Sequence, residues 1–186
     1  SLVKLEPDNW SVEEARNVYH ISRWGAGYYD INAVGRVATK PLPGDDTAVE
    51  LSAVIQAAQK RGLNGPLLIR FQDILRHRVQ SLCQAFDEAI ERFEYGGHYH
   101  GVFPLKVNEL REVVEEVLDA GKDHAFGLEV GSKSELSAAL ALQSNPHSLL
   151  ICNGYKDADF IHTALMGTRL GKKAILVVEK LDELQN

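Results

Sequence analysis

The chain alternates two hydrophobic periods, and that alternation leaves it very few architectures. Short apolar runs lie at residues 66–71, 101–105, 125–130, 148–152 and 173–179. Between them, apolar residues recur every three or four positions. The short runs suit strands, and the three-and-four spacing is the stripe of an amphipathic helix. From residue 73 to 93 the stripe is Ile74, Leu75, Val79, Leu82, Phe86, Ile90 and Phe93. From 110 to 118 it is Leu110, Val113, Val114, Val117 and Leu118, with Gly121 as a stop signal. Ser132 followed by Glu135 predicts a capping box ahead of Leu136, Ala139 and Leu140. The last four runs begin 23 to 25 residues apart. Strand and helix alternating at that interval predict α/β units with parallel strands. The interval suits a (β/α) barrel or an open doubly wound sheet equally well. A complete barrel usually takes about 250 residues, more than the 186 of this chain.

Residues 1–65 read differently. Ser11 and Glu14 predict a capped helix up to Tyr19, and residues 28–40 predict a β-hairpin turning at residues 32–35. Residues 41–46 form a loop, and residues 47–61 return to helical spacing with Gly62 as the end. Lys and Arg contribute 20 charges against 26 from Asp and Glu, a net charge of −6. That balance argues against nucleic acid and anionic membrane as partners, because neutralising phosphates needs clustered cations. No apolar run reaches the roughly 20 residues that span a bilayer, and no signal peptide opens the sequence. Cys83 and Cys152 fall in different predicted elements without metal-ligand spacing, so the expectation is a reduced, cytoplasmic protein.

Three segments carry candidate chemistry. In YHGVFPLKVNE (residues 99–109), Lys106 ends a predicted buried strand, where parallel α/β proteins place their sites. Flanked by Leu105 and Val107, it is expected to lose solvating water. Desolvation favours the neutral amine, the form that attacks an aldehyde to make a Schiff base. The alternative is a lysine that simply reaches out to solvent. In GLEVGSKSEL (residues 127–136), Glu129 is expected on the same face as Lys106, either to meet a cofactor or to pair with a nearby cation. Asn153 and Gly154 mark a turn after the next strand, and Asp157 is placed to cap the helix that follows. His98, His100, His124, His147 and His162 share no readable face or ligand spacing, which argues against zinc. Neither a phosphate-binding glycine loop nor a nucleophilic serine motif is present.

Taken in order, these blocks resemble the biosynthetic arginine decarboxylase family, pyridoxal-phosphate (PLP) enzymes with the alanine-racemase-like barrel. WGAGYYDIN (24–32) is similar to the family's WGxGYFDVN-type opening, and PLLIRF (66–71) with DIL (73–75) to its approach to the barrel. FPLKVN (103–108) resembles the YPIKVN cofactor site, with Phe103 for the usual Tyr. Glu109 stands where Gln is common, and GLEVGSKSEL and ICNGYKD (151–157) are further family-like blocks.

The resemblance implies a partial (β/α)8 TIM barrel over residues 66–186, with about four of the eight strands, preceded by a segment (1–65) that joins a β-domain. It implies PLP on Lys106, a cofactor contact from Glu129, L-arginine as the small-molecule substrate, and agmatine and CO2 as products. A magnesium requirement, a homo-oligomer and a role in polyamine synthesis are implied in the same way. The family's phosphate-binding loop, ring-stacking His, carboxylate facing the pyridine nitrogen and catalytic Cys lie further along the chain. None is in this sequence, so the expectation is a fragment, inactive alone, or one half completed by another polypeptide. The rival readings are a decarboxylase of the same fold for ornithine, lysine or diaminopimelate, a non-catalytic truncated subunit, and an unrelated α/β domain.

Overall fold

A computed structural model describes residues 10–185. The described residues form two compact units that divide after Ile74.

In the first unit, α1 (Val12–Tyr19) and α2 (Ile21–Trp24) precede a three-stranded antiparallel sheet of β1 (Tyr29–Ile31), β2 (Val37–Thr39) and β3 (Val49–Glu50), followed by α3 (Leu51–Lys60). Ser11 caps α1 by accepting from the Glu14 N–H at 3.0 Å, as its sequence predicts. The hairpin also forms as predicted. Asn32 Oδ1 accepts from the Val34 and Arg36 amides, and Gly35 supplies φ +80°. The helix predicted over 47–61 starts later, because Val49 and Glu50 are taken up by pairing with β2. Ala15, Ile21 and Ile31 form the unit's small core.

Across that core Arg16 grips Asp30 with two hydrogen bonds of 2.7 Å. The guanidinium holds the Asp30 carboxyl below its ordinary value of 3.8, against an opposing push from burial. A depressed carboxyl stabilises the folded state above its unfolded pKa, and the gain is lost as pH falls through the lower folded value. Arg16→Met should therefore lower Tm at about pH 6 and make progressively less difference as pH falls through the lowered Asp30 value toward about pH 2. Thermal melts at the two pH values check this; an equal deficit at both would assign the loss to packing.

The second unit holds most of α4 (Gln72–Arg92) and a four-stranded parallel sheet, β4 (Val102–Pro104), β5 (Gly127–Val130), β6 (Leu149–Cys152) and β7 (Lys173–Leu176). Single helices connect consecutive strands: α5 (Arg111–Ala120), α6 (Lys133–Leu142) and α7 (Ala158–Arg169). The strands lie side by side in chain order. A doubly wound sheet reverses its strand order at a switch point, and a barrel does not. These four strands wind in one direction, which is the barrel arrangement.

Alternation along the strands separates two faces. Phe103, Leu128, Leu150 and Ala174 are in register, and the buried Leu128, Val130, Leu150 and Cys152 pack with Leu136, Ala139, Phe160 and Ala164 of α6 and α7. The opposite face carries the row Pro104, Glu129, Ile151 and Ile175. A second cluster sets Val79 and Cys83 of α4 against Val117, Ala120 and Phe126. Both helix caps read from sequence are present: Ser132 accepts from Glu135 N–H and Asp157 from Phe160 N–H. The Glu135 side chain accepts from Gly131 N–H at 2.7 Å, one residue before the cap. Gln143, which the sequence did not single out, is 1 % exposed. Its amide accepts from Leu128 N–H and donates to Ser148 C=O, satisfying strand ends that would otherwise be buried unpaired.

The run at 66–71 is not a strand. It has no ladder partner among the described residues, although its side chains alternate between half-buried and exposed. Alternation reports an extended backbone and cannot report a neighbour to bond with.

Candidate active site

Parallel strands deliver their C-terminal ends to one edge of the sheet, and the sequence-predicted residues meet there. After Pro104 the chain turns through one 3-10 turn, Leu105–Val107. Leu105 is 2 % exposed and anchors the turn in the core. Lys106 and Val107 consequently face outward, with the Lys106 side chain 66 % exposed. The expected desolvation of Lys106 by Leu105 and Val107 is therefore absent: the turn sends one flank inward and leaves the lysine and its other flank in water.

Glu129 is the reverse case. Its side chain is 9 % exposed and its Oε1 lies 3.8 Å from Lys106 Nζ. The same oxygen accepts a 3.0 Å hydrogen bond from Asn153 Nδ2 in the loop after β6. Three consecutive strands thus contribute an accessible primary amine, a buried carboxylate and an amide donor to one cluster.

The loop holding Asn153 is itself tied down. Gly154 N–H donates to Glu179 at 3.1 Å, and Lys156 N–H to Glu183 at 3.1 Å. Lys156 Nζ bonds Gly154 C=O and sits 3.1 Å from the Glu183 carboxylate, with both side chains almost fully buried. Burial pushes the Glu183 carboxyl up, but hydrogen bonds from the Glu179 and Lys156 amides and the Lys156 charge outweigh it, leaving it below the ordinary range. Lys133 bridges to Asp157 at 2.6 Å, joining the first residue of α6 to the residue that caps α7. A cavity of about 610 Å³ opens beside these loops, lined by Ser132, Lys133, Tyr155 and Lys180 among others; neither Lys106 nor Glu129 lines it.

His98, His100 and His124 line one depression with Asp87, Glu91 and Asp123, before β4 and β5 at the other end of the strands. His124 Nδ1 is 3.1 Å from Asp87. Among the described residues, no group of three or more His, Cys, Asp or Glu is placed to hold a metal ion. No helix of the described residues is long and apolar enough to cross a membrane.

A one-way wound parallel sheet with an amine and a carboxylate at its C-terminal edge defines the class, part of a (β/α) barrel. Comparison with known proteins sharpens this. Residues 76–186 match the family model described as pyridoxal-dependent decarboxylase, pyridoxal binding domain, and the chain belongs to that family. The biosynthetic arginine decarboxylase of Gloeobacter violaceus is 47% identical over 176 residues, covering 95% of this chain and 27% of the relative. That of Thermosynechococcus vestitus is 43% identical over 184 residues, covering 99% of this chain and 29% of the relative. The crystal structure of the biosynthetic arginine decarboxylase SpeA from Campylobacter jejuni superposes with a TM-score of 0.82 at 30% identity, covering 90% of this chain and 27% of that one. The chain therefore spans little more than a quarter of the length of the relatives it matches.

Proposed function

We propose that the protein carrying this chain decarboxylates L-arginine to agmatine and CO2 with PLP held on Lys106, and that Glu129 contacts the cofactor. The observation that carries the reading is the exposed Lys106 amine 3.8 Å from the buried Glu129 carboxylate at the C-terminal edge of a parallel sheet. The donor set fits a covalently held aldehyde: the amine is accessible to attack, and the carboxylate beside it is fixed by Asn153. When bound, the cofactor's conjugated ring is the sink for the electron pair left as CO2 departs. Lys106 supplies the nitrogen of the covalent link. Its amine, fixed at the strand end, would be the group that holds the cofactor there. Glu129 Oε1 orients Lys106 Nζ by charge from the sheet face while accepting a hydrogen bond from Asn153.

Arginine as substrate is supported by the named relatives, whose length extends well beyond this chain. Residues 1–65 as a segment joining a β-domain, residues 66–186 as the first half of the barrel, homo-oligomeric assembly, a cytoplasmic location and a place in polyamine synthesis belong to the same proposal. The described residues bring together no group of three or more His, Cys, Asp or Glu, so none of them is assigned to a magnesium site.

Borohydride trapping with PLP, followed by peptide mass mapping and an assay of product identity in the full-length protein, tests the reading. Label confined to Lys106 with agmatine from arginine is the expected result. Label elsewhere would overturn the cofactor assignment. Putrescine, cadaverine or lysine formed from ornithine, lysine or diaminopimelate in preference to agmatine would overturn the substrate.

A further inference from the structure

We infer that Asn153 is a positioning residue for the Lys106 site and acts through Glu129. The inference rests on the proposed attachment of PLP at Lys106. A carboxylate as buried as Glu129 needs its oxygens satisfied. Its Oε1 has two neighbours of unequal kind, Asn153 Nδ2 at 3.0 Å and Lys106 Nζ at 3.8 Å. The first is a hydrogen bond, and the second is too long to be one and is a charge contact. The amide therefore sets where the oxygen points, and the long, mostly exposed lysine follows it.

Asn153 is equipped for this by its own anchoring. Its N–H donates to Val130 C=O at 2.8 Å, continuing the β5–β6 ladder by one residue. The next residue, Gly154, has φ +74°, and a Cβ there would lie 2.9 Å from Gly131 C=O. The turn can thus pack against the β5 loop only with glycine. The Lys156–Glu183 pair and Glu179 hold the turn from its other side. A neutral amide also suits the position chemically. It satisfies the carboxylate without cancelling its charge, whereas a lysine would compete with Lys106 and an aspartate would set two like charges side by side.

The test uses the full-length protein as wild type, Asn153→Ala, Asn153→Asp, Glu129→Gln and the Asn153→Ala/Glu129→Gln double variant. PLP affinity, the circular dichroism induced in the bound cofactor, the rate of borohydride labelling at Lys106 and the Tm of the cofactor-free protein are read for each. Asn153→Ala is expected to bind PLP about tenfold more weakly, the worth of one hydrogen bond to a charged group, with weaker induced dichroism and a Tm lowered by no more than a few degrees. Asn153→Asp should lose more. In the Glu129→Gln background the alanine should cost less than about twofold, because the path through the carboxylate is already cut. If Asn153→Ala melts early, the near-isosteric Asn153→Asp carries the test, since it keeps the side chain's shape while replacing the donor with a like charge beside Glu129. Wild-type PLP affinity and dichroism in that variant, or an undiminished tenfold loss in the Glu129→Gln background, would overturn the inference while Lys106 labelling in the wild type left the cofactor reading intact. Wild type that failed to label at Lys106 would overturn both.

Discussion

Lys106→Ala in the full-length protein is expected to lose arginine turnover by on the order of a thousandfold or more, the scale on which removing a covalent participant acts. Its Tm should stay within about 2 °C of wild type, because an exposed ion pair contributes little to stability. The side chain is 66 % exposed and its one charged partner in the cluster is 3.8 Å away. Lys106→Arg separates charge from nucleophile. The guanidinium keeps the attraction to Glu129 but offers no amine that condenses with an aldehyde. Both variants should therefore lose turnover and Lys106 labelling to the same degree, read by agmatine formation and peptide mapping. Substantial activity in Lys106→Arg would mean that Lys106 serves only as a counter-charge for Glu129.

Gly127→Ala is expected to be the most destabilising single-methyl change in the parallel sheet. A Cβ on Gly127 would fall 2.0 Å from Leu149 C=O and 3.0 Å from the Leu149 nitrogen. Those atoms are backbone of the neighbouring segment and cannot rotate away as a side chain does. Gly127 N–H also donates to Gly101 C=O at 2.8 Å, so the residue is pinned from the β4 side as well. Strand β5 is buried along its whole length, and relief requires it to part from β6. The cost should reach about 3 kcal/mol, the upper part of the range for overpacked cores, measured by urea unfolding. Gly131→Ala is the internal control. A Cβ there meets only the Glu135 carboxylate at 3.9 Å, so that variant should melt close to wild type. Equal stability of the two would show that β5 and β6 tolerate separation at their N-terminal ends.

Much of this protein was legible in its residues because the signals are local. A cap needs one side chain and one N–H three residues on, so Ser11, Ser132 and Asp157 were readable and perform as read. An amphipathic stripe declares a helix, and a short apolar run at a fixed interval declares a strand, which yielded four parallel strands and their helices, although only β5 is buried at every position and β7 is partly exposed. The hairpin turning at Asn32 and Gly35 was equally readable, since both residues are there for the turn itself.

Periodicity carries no information about partners across the chain, and there the tertiary structure decided. Residues 66–71 have the pattern of a strand and no ladder, because pairing depends on what lies alongside. Barrel and doubly wound sheet share one spacing, and only the strand order, running without reversal, separates them. Lys106 was expected to be desolvated by its sequence neighbours, yet a single 3-10 turn buries Leu105 and leaves the lysine in water. Glu129, by contrast, is buried beneath it, and its oxygen is held by Asn153, 24 residues away in sequence. Sequence by itself determined where the four parallel strands and the helices between them lie, since those choices are settled within a few positions by side-chain period and capping. The meeting of amine, carboxylate and amide at one edge was decided by the parallel register of β4, β5 and β6, which aligns residues more than twenty positions apart and which only folding creates.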